Sequence, residues 1–516
     1  MKETQSIKRI AVLGAGISGI ASAHTMQKRG HEVVIYEKTD KVGGVWAHSY
    51  PDVSLQNTWQ QYHISDFPYP ITPHLHPTAK QITDYMQSAI EALNIDVRLN
   101  HSVTSMEDVE GGWQLTLQHD DETQTETFDY VIIAVGQYTG RKQHLNLMGQ
   151  SAFNGTIMTE VDIQSLDAFK DKRVVVVGFG KSALDMVTFA VKQGASEVHQ
   201  VFRTPRWTIP EYIAGLHYTT PFFGRFGSVM MTSWAQPNKM ERFLHERLGF
   251  VVDGFWKIIA KVMSFQRNRA GANKGDDARA RLKLVSPTHH LLTDLRSAVA
   301  LAPEDYYSFV ADGKIQPHQT EVAGFTSDAI QLSDGSEIPC DMVIASIGSG
   351  KPTFPFLPDT YRQLLESEHD GTQLYRHLIH PRIPNLGFAG FNHGFMHIPC
   401  VEVGTLWLSA LLNDELTLPS VEDMEQTIDY VRQWKRDHIQ FEPSRSSAIN
   451  TRYQQYLDII LQDLGLSPNR KSNPVSEIFT RYSAADYAGL VEEYEQKLGH
   501  QGATTGEPLR PIAVHT

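Results

Sequence analysis

The sequence predicts an α/β protein with two Rossmann-like units, the second inserted into the first and carrying a largely helical insertion of its own. Two stretches carry this prediction, residues 8–46 and 173–207. Each reads as a short buried strand, a glycine turn, a helix and a returning strand, which is the order of a βαβ unit in a parallel sheet. Apart from this duplicated unit, the sequence contains no internal repeat.

Length and composition indicate a soluble globular protein of two or three domains, with 516 residues, an apolar fraction of 41% and a charged fraction of 20%. No run approaches the roughly 18 to 20 apolar residues of a membrane span. The N-terminus lacks a cleavage site, and Cys340 and Cys400 are too far apart for a CxxC pair. We therefore expect a cytoplasmic protein without disulfides. The net charge of −13 argues against nucleic acid as a partner.

The first unit contains a Gly-x-Gly-x-x-Gly motif, formed by Gly14, Gly16 and Gly19, between the strand Ile10–Leu13 and the helix Ile17–Lys28. Gly14 permits a tight turn, Gly16 lets the backbone approach a pyrophosphate at the helix N-terminus, and Gly19 allows close packing of helix on strand. The motif therefore predicts a site for a dinucleotide that contains ADP.

An acid and two further glycine turns complete this site. Glu37 ends the second strand, where a carboxylate accepts hydrogen bonds from a ribose 2′-OH and repels a 2′-phosphate. Gly44 and Trp46 follow, and Gly136 opens a turn at the end of a later strand, so we assign all three to the cofactor site. The first unit should hold FAD or NAD.

The second unit differs from the first in the charge at the end of its returning strand. Gly178, Gly180 and Ser182 form its turn, and Arg203 and Arg206 stand where the first unit has an acid. Because a guanidinium binds phosphate oxygens bidentately, this unit predicts a cofactor with a 2′-phosphate. We therefore expect FAD in the first unit and NADPH in the second.

Residues 205–300 are rich in aromatic side chains and lack a clear strand pattern. Apolar residues in 243–265 are spaced like an amphipathic helix. This helix either packs on the core, which is the preferred interpretation, or forms a lid or a face that contacts a membrane surface. The basic tract at 267–283 is interrupted by two aspartates, which favours a solvated loop over an anion-binding patch.

Three histidine pairs resemble parts of metal sites: His74 with His76, His289 with His290, and His393 with His397. No carboxylate or cysteine lies at ligand spacing from these pairs, and the helix context that a His-x-x-x-His pair needs is absent at His393. The sequence therefore predicts no metal.

The order of these motifs resembles the flavin-containing monooxygenases, which belong with the Baeyer–Villiger enzymes among the single-component flavoprotein monooxygenases. The resemblance covers residues 8–210 and 310–410. Besides the two glycine units, it rests on Glu37 with Gly43-Gly44-Val-Trp46, on Ser65-Asp-Phe-Pro-Tyr-Pro70, on Ala134-Val-Gly136 and on Ser346-Ile-Gly348. Gln56 and Arg203-Thr-Pro-Arg-Trp-Thr-Ile-Pro210 look most like the plant-type and fungal branch.

The resemblance also implies roles for single residues. Asn57 is the nearest candidate for an asparagine that many members place beside the reactive edge of the flavin, and Glu402 and Trp407 match a pattern that the family places near the flavin. The family signature Phe-x-Gly-x-x-x-His before the second unit is not complete, because Thr159 replaces its histidine. In the family that histidine supports the region that links to NADPH.

If the resemblance holds, NADPH reduces FAD, oxygen forms a C4a-hydroperoxyflavin, and one oxygen atom passes to the amine nitrogen or sulfide sulfur of a small organic substrate. Baeyer–Villiger oxygenation of a ketone is the alternative on the same scaffold. The change at Thr159 leaves a third possibility, an uncoupled NADPH oxidase or flavin-binding protein. The implied partners are a small-molecule substrate and molecular oxygen, and the sequence does not predict the oligomeric state.

These assignments divide the chain into three regions. The FAD-binding domain comprises residues 1–168 and 341–440. The NADPH-binding domain comprises residues 169–340 and includes the helical, aromatic insertion at about 205–300. Residues 441–516 form C-terminal helices and a tail.

Overall fold

The structure is a computed structural model, which describes residues 7–136, 142–231, 239–297, 299–440, 449 and 452–501. The first part of the chain begins with a βαβ unit and continues into a three-stranded antiparallel meander. Its elements are β1 (Arg9–Leu13), α1 (Ile17–Lys28), β2 (Glu32–Tyr36), α2 (Ala79–Ala92), β3 (Asp96–Arg98), β4 (Ser102–Val109), β5 (Gly112–His119), β6 (Glu122–Phe128) and β7 (Tyr130–Ile133).

The middle of the chain contains the second βαβ unit, a helical insertion and a second meander. Its elements are β8 (Thr156–Met158), β9 (Arg173–Val177), α3 (Lys181–Lys192), β10 (Glu197–Phe202), β11 (Thr208–Ile209), β12 (Tyr212–Ile213), β13 (Leu216–His217), α4 (Thr219–Phe222), α5 (Arg225–Val229), α6 (Lys239–Arg247), α7 (Gly249–Arg269), α8 (Gly275–Leu284), α9 (Leu291–Leu295), β14 (Ala300–Leu301), α10 (Tyr306–Ala311), β15 (Gln316–Gln319), β16 (Val322–Phe325), β17 (Ala329–Leu332), β18 (Glu337–Pro339) and β19 (Met342–Ala345).

The last part of the chain returns one strand to the first sheet and is otherwise helical. Its elements are α11 (Asp359–Glu366), β20 (Leu386–Phe388), α12 (His397–Leu412), α13 (Val421–His438), α14 (Tyr453–Asp463), α15 (Pro474–Phe479) and α16 (Leu490–Gln501).

Two parallel sheets confirm the predicted α/β class with two Rossmann-like units. The first has the strand order β20-β7-β1-β2-β3 and the second has the order β15-β10-β9-β19-β8. The returning strand β20 pairs with β7 in parallel, so the second unit is inserted into the first. The limits at 168 and 340 leave β8 and β19 in the FAD-binding domain, whereas both strands pair within the second sheet. We therefore propose that the NADPH-binding domain runs from β8 to β19.

The first unit is stabilised by burial on both faces of β1. Ile10, Ala11 and Val12 have no exposed surface, as expected of a central parallel strand. Helix α1 covers this strand and itself packs against α12, where the hydroxyls of Ser22 and Thr405 lie 3.0 Å apart. The small side chains of α1 allow this close approach, which fixes the position of the helix N-terminus in front of the sheet.

The helical insertion differs from the prediction at 243–265, because two helices, α6 and α7, meet at the non-helical Leu248. One face of α7 packs on the core through Val252, Trp256 and Met263. Its outer face exposes Phe250, Ile258 and Phe265. Helix α7 therefore packs on the core with one face and exposes apolar side chains to solvent on the other. No helix in the described part of the chain is both long and apolar enough to cross a bilayer.

The prediction of a solvated loop at 267–283 is wrong, because α8 occupies most of this tract. Two aspartates stand in its first turn and two basic residues in its last, which matches the helix dipole at both ends. Arg281 also donates hydrogen bonds to the carbonyls of Val310 and Ala311, at 3.0 and 2.7 Å. Asp276 and Asp277, which interrupt the basic tract, therefore stabilise the N-terminus of α8.

Candidate active site

The first glycine turn leaves no room for side chains. Gly14 has φ +113, and a Cβ there would lie 2.8 Å from the carbonyl oxygen of Ala134. A Cβ on Gly19 would lie 2.0 Å from the carbonyl oxygen of Gly14. The turn is thus pressed against β7 on one side and α1 on the other, and glycine is required at both positions.

The N-terminus of α1 is free to accept an anion. Its N-cap is Gly16, and no side chain of the described residues caps it. Gly44 faces it closely, because a Cβ on Gly44 would lie 3.1 Å from the Cα of Gly16. The two bare backbone segments form a cradle at the positive end of the helix, which fits the pyrophosphate of FAD.

The acid of the first unit is held in place by the turn itself. Glu37 is buried, and its carboxylate accepts hydrogen bonds from the backbone N–H of Ala15 at 2.9 Å and from the backbone N–H and hydroxyl of Thr39 at 3.0 and 2.9 Å. A carboxylate has acceptor capacity beyond these three bonds, so a ribose hydroxyl can still be bound. Gly136 follows β7 with φ +76 at the same edge of the sheet.

Trp46 lies partly buried beside the first cradle. Its indole Nε1–H donates to the hydroxyl of Tyr62 at 2.8 Å, and the two rings meet edge to face with centroids 6.0 Å apart. This bond connects the turn after β2 to the long loop at residues 51–77. The ring orientation of Trp46 is therefore fixed by the loop.

The second glycine turn repeats the first at the end of β9. Gly178 has φ +134, and a Cβ there would lie 2.3 Å from the carbonyl oxygen of Ser346. Gly180 is the N-cap of α3 without a side-chain cap, and a Cβ on it would meet nothing within 4 Å. Ser182 follows, partly buried, in the first turn of α3. This open helix N-terminus fits the pyrophosphate of NADPH.

The two predicted phosphate-binding arginines have different surroundings. Arg203 follows β10 with 81% of its side chain exposed, and Glu321 is 3.8 Å away. Arg206 lies at 3.0 Å from the carboxylate of Asp294, which has no exposed surface, and also donates to Gln440 at 2.8 Å. The guanidinium of Arg206 is therefore engaged within the protein, whereas that of Arg203 faces solvent.

Asn57 lies in the 51–77 loop and contacts the segment that leads into α12. Its amide Nδ2–H donates to the carbonyl oxygen of Phe395 at 2.7 Å. The ring of Phe395 stacks on Phe223 of the insertion with centroids 5.2 Å apart, and Phe223 contacts Tyr453 at 6.0 Å. Asn57 thus stands next to an aromatic wall built from three distant parts of the chain.

Thr159, which replaces the family histidine, has a local structural role. It is buried after β8, and its backbone N–H and hydroxyl donate to the carboxylate of Asp162 at 2.8 and 2.7 Å. The backbone bond from Thr159 is the largest factor that lowers the pKa of the Asp162 carboxyl. The threonine side chain therefore caps a short turn at the edge of the second sheet.

The structure adds contacts that no sequence pattern indicates. Tyr50 donates its hydroxyl to Asp185 of α3 at 2.8 Å, which ties the 51–77 loop region to the second unit. His397 and Ser18 lie 2.9 Å apart between α12 and α1, and burial lowers the pKa of His397 to about 4. Their separation along the chain is why the sequence could not predict these pairs.

Glu402 of α12 contacts the 51–77 loop at Ser65. It accepts hydrogen bonds from the backbone N–H of Ser65 at 3.0 Å and from the hydroxyl of Ser65 at 2.6 Å. Burial raises the pKa of Glu402 to about 8, although both bonds from Ser65 oppose that shift. Trp407, one turn further along α12, donates to Asp463 at 3.1 Å.

Helices α1 and α3 both begin at a glycine without a side-chain cap. An acid follows the next strand in the first unit and an arginine follows it in the second. This combination defines a protein class that binds two dinucleotides. A family model described as flavin-binding monooxygenase-like matches residues 7–252 and 300–477. The chain belongs to this family. It is an NADPH-dependent flavin monooxygenase, and its cofactors are FAD and NADPH.

Known relatives span nearly the whole chain. A protein named probable flavin-containing monooxygenase 1 of Arabidopsis thaliana is 28% identical over 94% of this chain and 97% of its own. The solved structure of S-allyl-L-cysteine S-oxygenase from Allium sativum has a TM-score of 0.61 at 17% identity, over 96% of this chain and 99% of that one. Cyclohexanone monooxygenase from Rhodococcus sp. Phi1, bound to NADP+, has a TM-score of 0.65 at 16% identity, over 90% and 98%.

Proposed function

We propose that this enzyme transfers one oxygen atom of O2 to the amine nitrogen or sulfide sulfur of a small organic substrate. The observation that carries the proposal is the partly exposed ring of Phe395 beside Asn57, which is backed by the buried rings of Phe223 and Tyr453. Thioether sulfur makes favourable contacts with aromatic rings, and the apolar substituents of a neutral amine pack against them. Such a wall suits a compact, soft nucleophile.

The protein's own residues bind and orient the cofactors in this proposal. FAD, when bound, supplies the activation of oxygen, and NADPH supplies the electrons. We place the pyrophosphate of FAD at Gly14, Gly16, Gly19 and Gly44. In the same proposal Glu37 binds the ribose.

For NADPH we place the pyrophosphate at Gly178, Gly180 and Ser182. We assign the 2′-phosphate to Arg203 rather than Arg206, because Arg206 is already paired with a buried carboxylate. Asn57 would stand at the reacting edge of the flavin, with its amide oriented by the carbonyl of Phe395.

A second candidate function is NADPH oxidation with release of hydrogen peroxide. The observation that favours it is Thr159, whose hydroxyl is occupied by Asp162 and cannot replace the imidazole of the family histidine. Weaker support of the NADPH-binding region would open the site to water, and O2 reduced with the two electrons of NADPH would then leave as hydrogen peroxide instead of oxygenating a substrate.

The experiment that separates these functions measures three quantities in parallel. FAD-loaded enzyme is given NADPH and, in turn, tertiary amines, sulfides and cyclic ketones, while NADPH consumption, peroxide and product mass are followed. We expect an N-oxide or S-oxide that accounts for most of the NADPH. Lactone formation from ketones would instead identify Baeyer–Villiger chemistry. Peroxide equal to the NADPH consumed, with every substrate, would establish the oxidase.

A further inference from the structure

A short hairpin in the insertion brings a carboxylate next to an imidazole. Strands β12 and β13 pair around a turn at Ala214 and Gly215, both of which have positive φ. The backbone N–H of Tyr218 donates to the carbonyl of Glu211 at 2.9 Å, which closes the open end of the hairpin. The side chains of Glu211 and His217 then face each other, with Oε1 and Nε2 3.9 Å apart.

A second imidazole reaches this hairpin from the loop at residues 51–77. His76 and His217 lie with their rings nearly parallel and their centroids 6.2 Å apart. One nitrogen of each histidine and a carboxylate oxygen of Glu211 all lie within 4.8 Å of one another. Two histidines and one carboxylate thus meet although more than 130 residues separate His76 from the other two.

Hydrogen bonds to Nδ1 of His76 leave Nε2 as the nitrogen that is available to a ligand. Its Nδ1 lies 3.1 Å from the carbonyl oxygen of Leu55 and 3.0 Å from that of Asn57. A carbonyl only accepts, so Nδ1 carries the proton and Nε2 of the neutral ring carries the lone pair. A backbone carbonyl on the distal nitrogen is also the usual support of a histidine that binds a metal.

The inner nitrogens of both rings are buried without a hydrogen bond. Neither Nε2 of His76 nor Nε2 of His217 has a hydrogen-bond partner among the residues that the structure describes. On the other side of the His217 ring, Nδ1 lies 2.8 Å from the hydroxyl oxygen of Thr219 and 3.4 Å from the backbone nitrogen of Thr219. When the hydroxyl oxygen accepts the Nδ1 proton, Nε2 carries the lone pair that a metal ion needs.

We propose that His76, His217 and Glu211 bind a zinc ion. Two imidazoles and one carboxylate are a common ligand set for Zn²⁺, with a water in the fourth position, whereas Mg²⁺ and Ca²⁺ prefer oxygen ligands alone. Ligands on one tetrahedral zinc lie about 3.4 Å apart, because each bond is about 2.0–2.2 Å long. The three ligand atoms lie within 4.8 Å of one another, so side-chain shifts of about an ångström bring them to this geometry.

The proposed ion would clamp two parts of the candidate active site. His76 belongs to the loop that carries Asn57, and its ring already bonds the backbone of that residue. Glu211 and His217 belong to the insertion, whose Tyr218 hydroxyl donates to the carbonyl of Gln56 in the same loop. The role is structural, and it does not depend on which substrate the enzyme oxygenates.

The test uses full-length, tag-free protein loaded with FAD, stripped with a chelator and then given Zn²⁺ alone. Bound zinc is measured by elemental analysis after gel filtration, together with the dissociation constant in a zinc buffer. The variants are His217→Ala and Glu211→Gln. The matched control is His74→Ala, because His74 is exposed and only two residues from His76.

We expect close to one zinc per chain in the wild type and in His74→Ala. Loss of a direct ligand should weaken binding by at least the roughly 10- to 100-fold that loss of a supporting contact causes. Zinc far below one per chain in the wild type would overturn the proposal. So would an unchanged zinc content and affinity in both ligand variants, because the ion would then lie elsewhere.

Thermal unfolding supplies an independent readout if His217→Ala folds poorly. Glu211→Gln changes an exposed part of a surface hairpin, so this variant should retain its FAD. Zinc should raise the Tm of the wild type and of His74→Ala, since it binds the folded state. An equal rise in Glu211→Gln would contradict the clamp.

Discussion

Among single residues, Glu402 gives the clearest dependence on pH. Its pKa is raised to about 8 in the folded protein, from an ordinary value of 4.5. Between these values the folded state holds a proton that the unfolded state has lost, so the free energy of unfolding falls as pH rises. The contribution is at most about 1.4 kcal/mol per pH unit. We predict that Glu402→Gln flattens the fall between pH 5 and 8 seen in chemical unfolding.

The control for this prediction is the same change at an exposed carboxylate. Glu91 lies on the outer face of α2, so Glu91→Gln should leave the pH dependence as in the wild type. At pH 8 the free energy of unfolding of Glu402→Gln should be higher than that of Glu91→Gln, because Glu402→Gln no longer has to bury a charge. Equal slopes in Glu402→Gln and wild type would show that the carboxyl is ionised throughout.

The two arginines after β10 should have separable effects. Arg203→Ala should raise the KM for NADPH by roughly 10- to 100-fold, the value of a charged hydrogen bond to phosphate, and change the KM for NADH little. Arg206→Ala should instead lower the free energy of unfolding by less than about 3 kcal/mol, because Asp294 loses its guanidinium partner but keeps its contacts with the backbone N–H of Trp207 and with His289. Steady-state kinetics with both cofactors would contradict the assignment if Arg203→Ala affected NADPH and NADH equally.

Single-residue contacts were predictable only where the backbone pattern determines them. The glycine positions and Glu37 could be predicted, because a βαβ turn requires them at fixed spacing. The cluster of His76, Glu211 and His217 could not, since more than 130 residues separate His76 from the other two. Tertiary structure brings that carboxylate in from the insertion.

At the scale of elements, the regular βαβ units were predicted best. Helix α1 begins and ends where the sequence pattern places it, and strand β1 begins one residue earlier than predicted. The insertion was predicted less well: its helices are broken at Leu248, and α8 occupies a tract that looked like a loop. Both differences arise where packing against neighbours and helix-end charges, rather than apolar periodicity, determine the structure.

The second glycine turn provides a matched pair of substitutions. Gly178→Ala should destabilise the fold by about 2–3 kcal/mol, because its Cβ would collide with the backbone at a positive φ. Gly180→Ala should cost less than about 1 kcal/mol, since its Cβ meets nothing. It should nevertheless raise the KM for NADPH about tenfold or more, by blocking the approach of phosphate. Thermal unfolding and kinetics check the pair, and an unchanged KM in Gly180→Ala would place NADPH elsewhere.

The first glycine turn should determine whether the protein is coloured. In Gly16→Val the side chain would occupy the space between Gly16 and Gly44, where the pyrophosphate of FAD is expected. We predict a folded but colourless protein without absorbance of bound flavin. Circular dichroism serves as the folding control, and a yellow preparation with one FAD per chain would refute this placement.

At the scale of the whole molecule, function depends on how three separate regions meet. The 51–77 loop contacts α12 through Ser65 and the insertion through Gln56, and Tyr50, just before the loop, contacts α3. Each proposed cofactor site lies mostly within its own βαβ unit, whereas the aromatic wall beside Asn57 combines the insertion, the segment before α12, and α14. This division explains why the cofactors could be predicted from the sequence and the substrate could not.

The most direct test of the central claim follows the fate of molecular oxygen. The enzyme is supplied with NADPH, ¹⁸O2 and the best amine or sulfide from the screen, and the product is analysed by mass spectrometry. A coupled monooxygenase should incorporate one ¹⁸O atom into the product for each NADPH consumed. An unlabelled substrate, with labelled peroxide equal to the NADPH consumed, would contradict the claim.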